Sequence, residues 1–292
     1  MTAEMTTEAH PSVGFIGLGD QGLPMAVAIA EAGYSLQVWA RRPASLEALA
    51  GVPHARHEKI ADLAAASDIV ALCVSTDEDV IALVTDGLLG ALRPGAAVVN
   101  HGTGTPGNAV RLARICAAVG VDALDAPVSG GRMGAESRTL TTMVGGPEPA
   151  ARRCEPLFQS FSKHISYLGG PGTGQTAKLL NNILMAMNHA SIADVLDIAV
   201  RLGADPVRLA QVLRQGSAAS TALALLPLDS GVDPGAPELL APLQYLILDM
   251  ELFDAAMTES GIDAGSVTAR GLSGANRVPD VIRTLNPRPA AP

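Results

Sequence analysis

The chain has 292 residues, enough for one large domain or two ordinary ones. Hydrophobic residues make up 48% of it and aromatic residues only 3%, so Ala, Val, Leu and Ile must fill the core, and aromatic platforms for stacking nucleic acid are not expected. The formal net charge of −9 argues against a general binder of phosphate backbones or anionic membranes, yet leaves room for a local basic pocket.

In chain order, residues 1–10 read as a flexible polar tail with Glu4 and Glu8, lacking the basic start and apolar run of a signal peptide. Val13-Gly-Phe-Ile-Gly17 predicts a short strand running into glycines, and Pro24–Ala32 a helix stopped by Gly33. Further strands are expected at Tyr34–Trp39, Ile69–Val74, Ala96–Asn100 and Val121–Asp125. Between them fall helical stretches at Val80–Val84 and from Pro106 to Gly120. Strand-like runs at Thr141–Val144 and Ile165–Leu168 can extend the sheet. This alternation, from Val13 to about Tyr167, predicts a parallel sheet with helices on both faces.

The pattern changes at the glycine-rich loop Gly169–Gly174. No proline or glycine occurs from Gln175 to Arg201, and apolar residues recur at helical spacing, which predicts one long helix ended by Gly203. Helices are expected again at Pro206–Arg214 and Leu239–Glu259, the latter interrupted near Pro242, with a loop at Asp229–Pro237. The Pro/Ala-rich end reads as a disordered tail. No uninterrupted apolar run is long enough to span a bilayer. Cys73, Cys116 and Cys154 are an odd number without a C-x-x-C pair, so the expectation is a soluble protein of a reducing cytoplasm, each cysteine a small buried hydrophobe.

Gly17-Leu18-Gly19-Asp20-Gln21-Gly22 is a G-x-G-x-x-G sequence. Alone it is a weak signal, but it follows a strand and opens a helix, the context a dinucleotide-binding loop requires. Gly17 would allow the tight turn, Gly19 the approach of a pyrophosphate, and Gly22 close packing of helix on strand. Helix N–H groups would then face the anion. At the end of the second strand, Val38-Trp-Ala-Arg41-Arg42 offers no acid for a ribose hydroxyl. Two guanidiniums suit the 2′-phosphate of NADP, so NADP is expected and NAD is the weaker choice. The predicted fold is an α/β Rossmann domain, a doubly wound parallel sheet over residues 11–171. An all-α domain follows over 172–292, joined by the long interdomain helix at about 175–201.

Three further segments, Asp125-Ala-Pro-Val-Ser-Gly-Gly131, Gly172-Thr-Gly-Gln-Thr-Ala-Lys178 and Leu179-Leu-Asn-Asn182, stand in order behind the glycine loop. Together they resemble the β-hydroxyacid dehydrogenases, which include 3-hydroxyisobutyrate dehydrogenase, tartronate semialdehyde reductase and the glyoxylate/succinic semialdehyde reductases, over about Val13 to Gly261. The resemblance implies a substrate cleft between the two domains. It implies carboxylate binding at Ser129, Gly130 and Gly131, catalysis by Lys178 with Asn182 in support, and Thr103 near the nicotinamide and substrate. It also implies a homodimer or homotetramer acting on a small hydroxy acid or aldehyde. Where such proteins commonly carry a Lys-Asp pair this chain has Leu248 and Asp249. Losing that cation should weaken attraction for a small charged acid. Gly102 stands for a common serine, Asn100 for an aspartate, Arg138 for a glycine and Asp194 for a glutamate.

Hydride transfer needs a partner that moves the hydroxyl proton, and a lysine serves when burial and nearby positive charge bring its pKa toward neutrality. Lys178 and Asn182 are four apart, hence on one helix face about 6 Å apart along the axis. Met185 and His189 continue that face, with His189 about three turns away, too far to share the bond-making step. His101, beside Thr103, is a further candidate for lining the cleft. His54 and His57 have no matching ligands, so no metal is expected. No G-x-S-x-G elbow and no Walker A loop occurs. The leading expectation is an NADP(H)-dependent oxidoreductase of β-hydroxy acids or their semialdehydes. An imine reductase-like NADPH enzyme and a non-catalytic NADPH-binding protein remain as alternatives.

Overall fold

The computed structural model describes residues 10–228 and 236–286. The predicted tails and most of the Asp229–Pro237 loop lie outside these residues. The chain divides into two compact units at Lys178/Leu179, seven residues after the 171/172 boundary placed from sequence.

The first unit runs β1 (Ser12–Ile16), α1 (Gly22–Glu31), β2 (Ser35–Trp39), β3 (Ala55–Arg56), α2 (Ile60–Ala65), β4 (Ile69–Leu72), α3 (Asp77–Leu83), β5 (Ala97–Asn100), α4 (Pro106–Ala117) and β6 (Asp122–Asp125). Then come β7 (Val128–Ser129), α5 (Gly131–Glu136), β8 (Leu140–Gly145), α6 (Glu148–Phe158) and β9 (Ser162–Gly169), before α7 (Thr173–Arg201) begins. The sheet order is β3-β2-β1-β4-β5-β6-β8-β7, with β9 paired to β8. Strands β1 to β6 pair in parallel, as the alternation predicts. The chain steps from β1 to β2 and β3 on one side and crosses back from β3 to β4 on the other side of β1, so a switch point opens at the carboxyl end of β1, where an open α/β sheet takes its ligand.

β8 departs from the all-parallel expectation, lying antiparallel to both β6 and β7. β6 and β7, with only Ala126 and Pro127 between them, run the same way, and β8 returns against both after the short helix α5. Two cores cover the sheet faces. One gathers Phe15, Met25, Ile29, Leu124, Phe158 and Phe161, the other Leu63, Leu72, Leu88, Val98 and Leu112. β4 and β5 are buried along their whole length, which is why they read as unbroken apolar runs.

The second unit takes most of α7 and adds α8 (Pro206–Gln215), α9 (Thr221–Ala224), α10 (Pro237–Glu259) and α11 (Gly265–Leu285). α10 is continuous through Pro242, correcting the expected interruption: one proline removes a single ladder bond and bends a helix without having to end it. By length and composition alone α7 is apolar enough to cross a membrane. Its residues instead feed two cores of this unit, Leu179, Ile183 and Ala186 with Met250 and Phe253, and Ala193 and Leu196 with Val278 and Ile282. Leu180, Leu184, Val195 and Ile198 on the same helix are exposed.

α7 and α11 approach at small residues. A Cβ on Gly274 would lie 2.8 Å from the carbonyl carbon of Ala186 and from the amide nitrogen of Ala190, and nearer still to the Ala186 oxygen. Real Cβ atoms essentially never come under 3.0 Å, so this crossing admits only glycine.

Candidate active site

The predicted dinucleotide loop lies at the switch point. Gly17 has φ +105°, and a Cβ there would stand 2.6 Å from the Cys73 carbonyl carbon at the end of β4. A Cβ on Gly22 would meet the Gly17 carbonyl carbon at 3.0 Å, so α1 sits hard against the turn. Gly19 differs: a Cβ there would project into space with no atom within 4 Å. Two glycines are thus fixed by the fold and the third faces an open cradle, which is the arrangement a bound pyrophosphate needs. Leu18 packs on the core. Asp20 faces Arg132 at 4.0 Å, and Gln21 precedes the first turn of α1.

Arg41 and Arg42 follow β2 and are exposed. The Arg41 side chain is 81% exposed, with Asp79 at 3.8 Å, and Arg42 caps a short 3-10 turn at Pro43–Leu49. No acid stands at the end of β2, so the residues present fit a dinucleotide carrying a 2′-phosphate.

The loop after β5 carries Thr103, which is half-buried. The Asn100 side-chain oxygen accepts from the Gly102 N–H at 3.0 Å. The Thr105 N–H and hydroxyl both donate to Asp77 Oδ2 at 2.9 Å. A Cβ on Gly102 would lie 2.5 Å from the Val74 carbonyl oxygen, so the serine common in similar proteins finds no space on this backbone. His101 does not line an opening. It is buried, its Nδ1 bonds to the Ala126 carbonyl, and Phe158 and Phe161 meet its ring edge-on. Burial lowers its pKa to about 4, partly countered by the bond to Ala126.

Ser129 ends β7, opposite Thr141. Gly130 and Gly131 follow with φ +132° and +62°, a turn that side chains resist. A Cβ on Gly131 would meet nothing within 4 Å. Arg138, where a glycine is common, holds φ +57° and pairs with Glu31 across the fold.

Lys178 is buried at 9% exposure, one turn into α7. The start of that helix is fixed from outside. Asp125 Oδ1 accepts from the Gly172 N–H at 2.8 Å and Oδ2 from the Gln175 N–H at 2.9 Å. Burial pushes the Asp125 carboxyl up, against backbone N–H groups that pull it down. The Gln175 side chain reaches the Thr103 loop: Oε1 accepts from the Gly104 N–H at 2.9 Å and Nε2 donates to the Gly102 carbonyl at 2.8 Å. Both residues stand inside the motifs Asp125–Gly131 and Gly172–Lys178, whose pattern assigns neither a role. An acid just ahead of a Pro-Val-Ser-Gly-Gly turn and an amide inside a glycine-led helix start were the available signals.

In the second unit, Asn182 is buried, its Nδ2 donating to Asp249 Oδ2 at 2.6 Å and its Oδ1 accepting from Asn181 at 2.9 Å. Leu248 beside Asp249 is 51% exposed. His189 is buried and bonded to the Ala222 backbone, and burial lowers its pKa. Asp194 pairs with Arg270 and Arg277. His54 bonds to the Val52 carbonyl and Arg56, and His57 to Gln37. Among the described residues no group of three or more His, Cys, Asp or Glu could hold a metal ion. Cys116 and Cys154 are buried thiols, pushed up by that burial to about 11 and about 12.

Comparison with known proteins gives consistent matches. Residues 12–169 match the NAD binding domain of 6-phosphogluconate dehydrogenase, and residues 172–269 the NAD-binding domain of NADP-dependent 3-hydroxyisobutyrate dehydrogenase. The chain is 39% identical over 213 residues to 2-hydroxy-3-oxopropionate reductase of Escherichia coli K12, covering 72% of this chain and 73% of that protein. It is 33% identical over 227 residues to 3-hydroxyisobutyrate dehydrogenase of Pseudomonas aeruginosa, covering 77% and 76%. The structure of Mycobacterium tuberculosis 3-hydroxyisobutyrate dehydrogenase with L-serine matches at a TM-score of 0.82 and 27% identity, covering 94% of this chain and 99% of that one.

Proposed function

The chain belongs to the β-hydroxyacid dehydrogenase family and is an NAD(P)-dependent oxidoreductase of CH–OH groups, and from that premise we propose that it transfers hydride between NADP(H) and a small β-hydroxy acid or its semialdehyde, with Lys178 as the proton-transfer residue. The observation that carries this reading is a buried lysine on a helix turn whose backbone is held by Asp125 and whose side chain at Gln175 reaches the Thr103 loop.

When bound, the dinucleotide supplies or accepts the hydride. The N–H groups of the Gly17–Gly22 turn hold its pyrophosphate, and Arg41 and Arg42 its 2′-phosphate. In reduction Lys178 Nζ gives a proton to the substrate carbonyl oxygen, and in oxidation it takes the proton from the hydroxyl. The Ser129 hydroxyl and the N–H groups of Gly130 and Gly131 hold the carboxylate, and Thr103 contacts the nicotinamide end. Asn182, its amide fixed by Asp249, orients the reacting oxygen or the lysine amine. Leu248 favours a substrate whose charge is carried at the Ser129–Gly131 turn alone. The exposed row Leu180, Leu184, Val195 and Ile198 supports assembly through the helical unit as a homodimer or homotetramer.

The test is a panel of 2-hydroxy-3-oxopropionate, succinic semialdehyde and a cyclic imine, each with NADPH and NADH, together with 3-hydroxyisobutyrate with NADP+ and NAD+. Wild type and Lys178→Ala are compared. Wild type should favour NADP+ over NAD+ with the hydroxy acid, or NADPH over NADH with a semialdehyde. The variant should lose roughly a hundredfold to ten-thousandfold in kcat while still binding NADPH. Full activity in Lys178→Ala would remove the proposed proton donor, and a preference for the imine would replace the substrate class.

A further inference from the structure

The Thr103 loop and the helix turn of Lys178 are joined by one side chain. Gln175 is 1% exposed, and its amide closes on the backbone groups either side of Thr103, the Gly102 carbonyl and the Gly104 N–H. An uncharged amide both donates and accepts, which this pairing requires. Lys178 lies three residues on, within the same turn of α7.

Each part is also held without this side chain. The loop is pinned by Asn100 and Asp77, and the helix start by Asp125 through backbone N–H groups. Among the described hydrogen bonds, those of the Gln175 amide are what join the loop to the helix. We propose that Gln175 is a positioning residue for hydride and proton transfer, fixing Thr103 relative to Lys178. The inference rests on the site reading above.

Two variants test it. Gln175→Met fills similar space and makes neither bond. Gln175→Glu keeps an acceptor for the Gly104 N–H but, as a carboxylate, cannot donate to the Gly102 carbonyl. Once protonated it again offers one donor and one acceptor. Turnover is measured on the best substrate of the panel, at a temperature where circular dichroism shows folded protein, and NADPH affinity by fluorescence titration. For both variants kcat should fall about tenfold to a hundredfold, with substrate KM and NADPH Kd within about threefold of wild type, since the carboxylate and phosphate contacts lie elsewhere. As pH falls, the kcat of Gln175→Glu relative to wild type should recover, and that of Gln175→Met should not.

Folded variants with wild-type kcat would overturn the inference, as would losses of NADPH affinity and melting temperature that match the loss of kcat. Lys178→Ala in the same assay separates the two readings. If it is inactive while the Gln175 variants match wild type, only the positioning role fails. If it is fully active, the site reading itself fails.

Discussion

Replacing Gly274 by alanine sets two forces against each other within one methyl group. Intrinsic helix propensity favours alanine over glycine in a helix interior by about 1 kcal/mol. Packing opposes it, because the new Cβ would lie 2.8 Å from two backbone atoms of α7 that cannot rotate aside. Ordinary contact therefore requires α11 to withdraw by about 0.6 Å or more, and a gap of that size forfeits roughly a quarter to a half of each dispersion contact on the face. For a face of about fifty atom pairs that is roughly 1–5 kcal/mol, with strain of overpacking of roughly 1–3 kcal/mol beside it. After the propensity gain, the expected net loss is about 1–7 kcal/mol. Urea unfolding followed by far-UV ellipticity reads this as a lower midpoint. Gly265→Ala is the control, since a Cβ there meets nothing nearer than 3.5 Å. A Gly274→Ala protein as stable as wild type, or more so, would refute the packing argument, because propensity alone predicts that sign.

His101 ties stability to acid. Its pKa falls from 6.5 to about 4 on folding, so the unfolded chain takes up a proton that the folded chain refuses between those values. Its contribution is whole above pH 6.5 and is lost as pH drops toward 4, about 3 kcal/mol in all. His101→Gln should flatten that part of the stability profile measured by urea titration, and an unchanged slope would contradict it. For the assembly, Ile198→Asp places a carboxylate in the exposed apolar row of α7. If that row is the interface, sedimentation should show association weakened by roughly a hundredfold or more in Kd, or abolished, whereas a wild type that sediments as a monomer would remove the proposal.

Much of the sheet unit was legible because its signals are local. β4 and β5 are buried from end to end and so read as apolar runs, and the spacing of Gly17, Gly19 and Gly22 marks a strand-to-helix turn even though the group that bars a side chain at Gly17 is the Cys73 carbonyl after β4. The antiparallel return of β8 was not, since its direction depends on how α5 turns the chain back beside β6 and β7. α11 went unrecognised for a different reason. Its buried positions Thr268, Gly271, Ala275, Val278, Ile282 and Leu285 keep helical spacing, but half are small, so hydrophobicity underreports the face, while three glycines and Pro279 argue against a helix. At the site, Lys178, Asn182 and the Ser129–Gly131 turn stand in motifs. Gln175 and Asp125 act on partners 71–73 and 47–50 residues away, and no window on the sequence shows such a pair.

The acceptor for the first turn of α7 comes from a strand end 47 residues upstream. Helices are hard to start and easy to extend, so whatever secures the first turn sets the phase of all that follows. Here the starter is a non-local contact, which forms only after the entropy of closing that loop has been met. The register of a 29-residue helix is thereby inherited from the end of an interior strand.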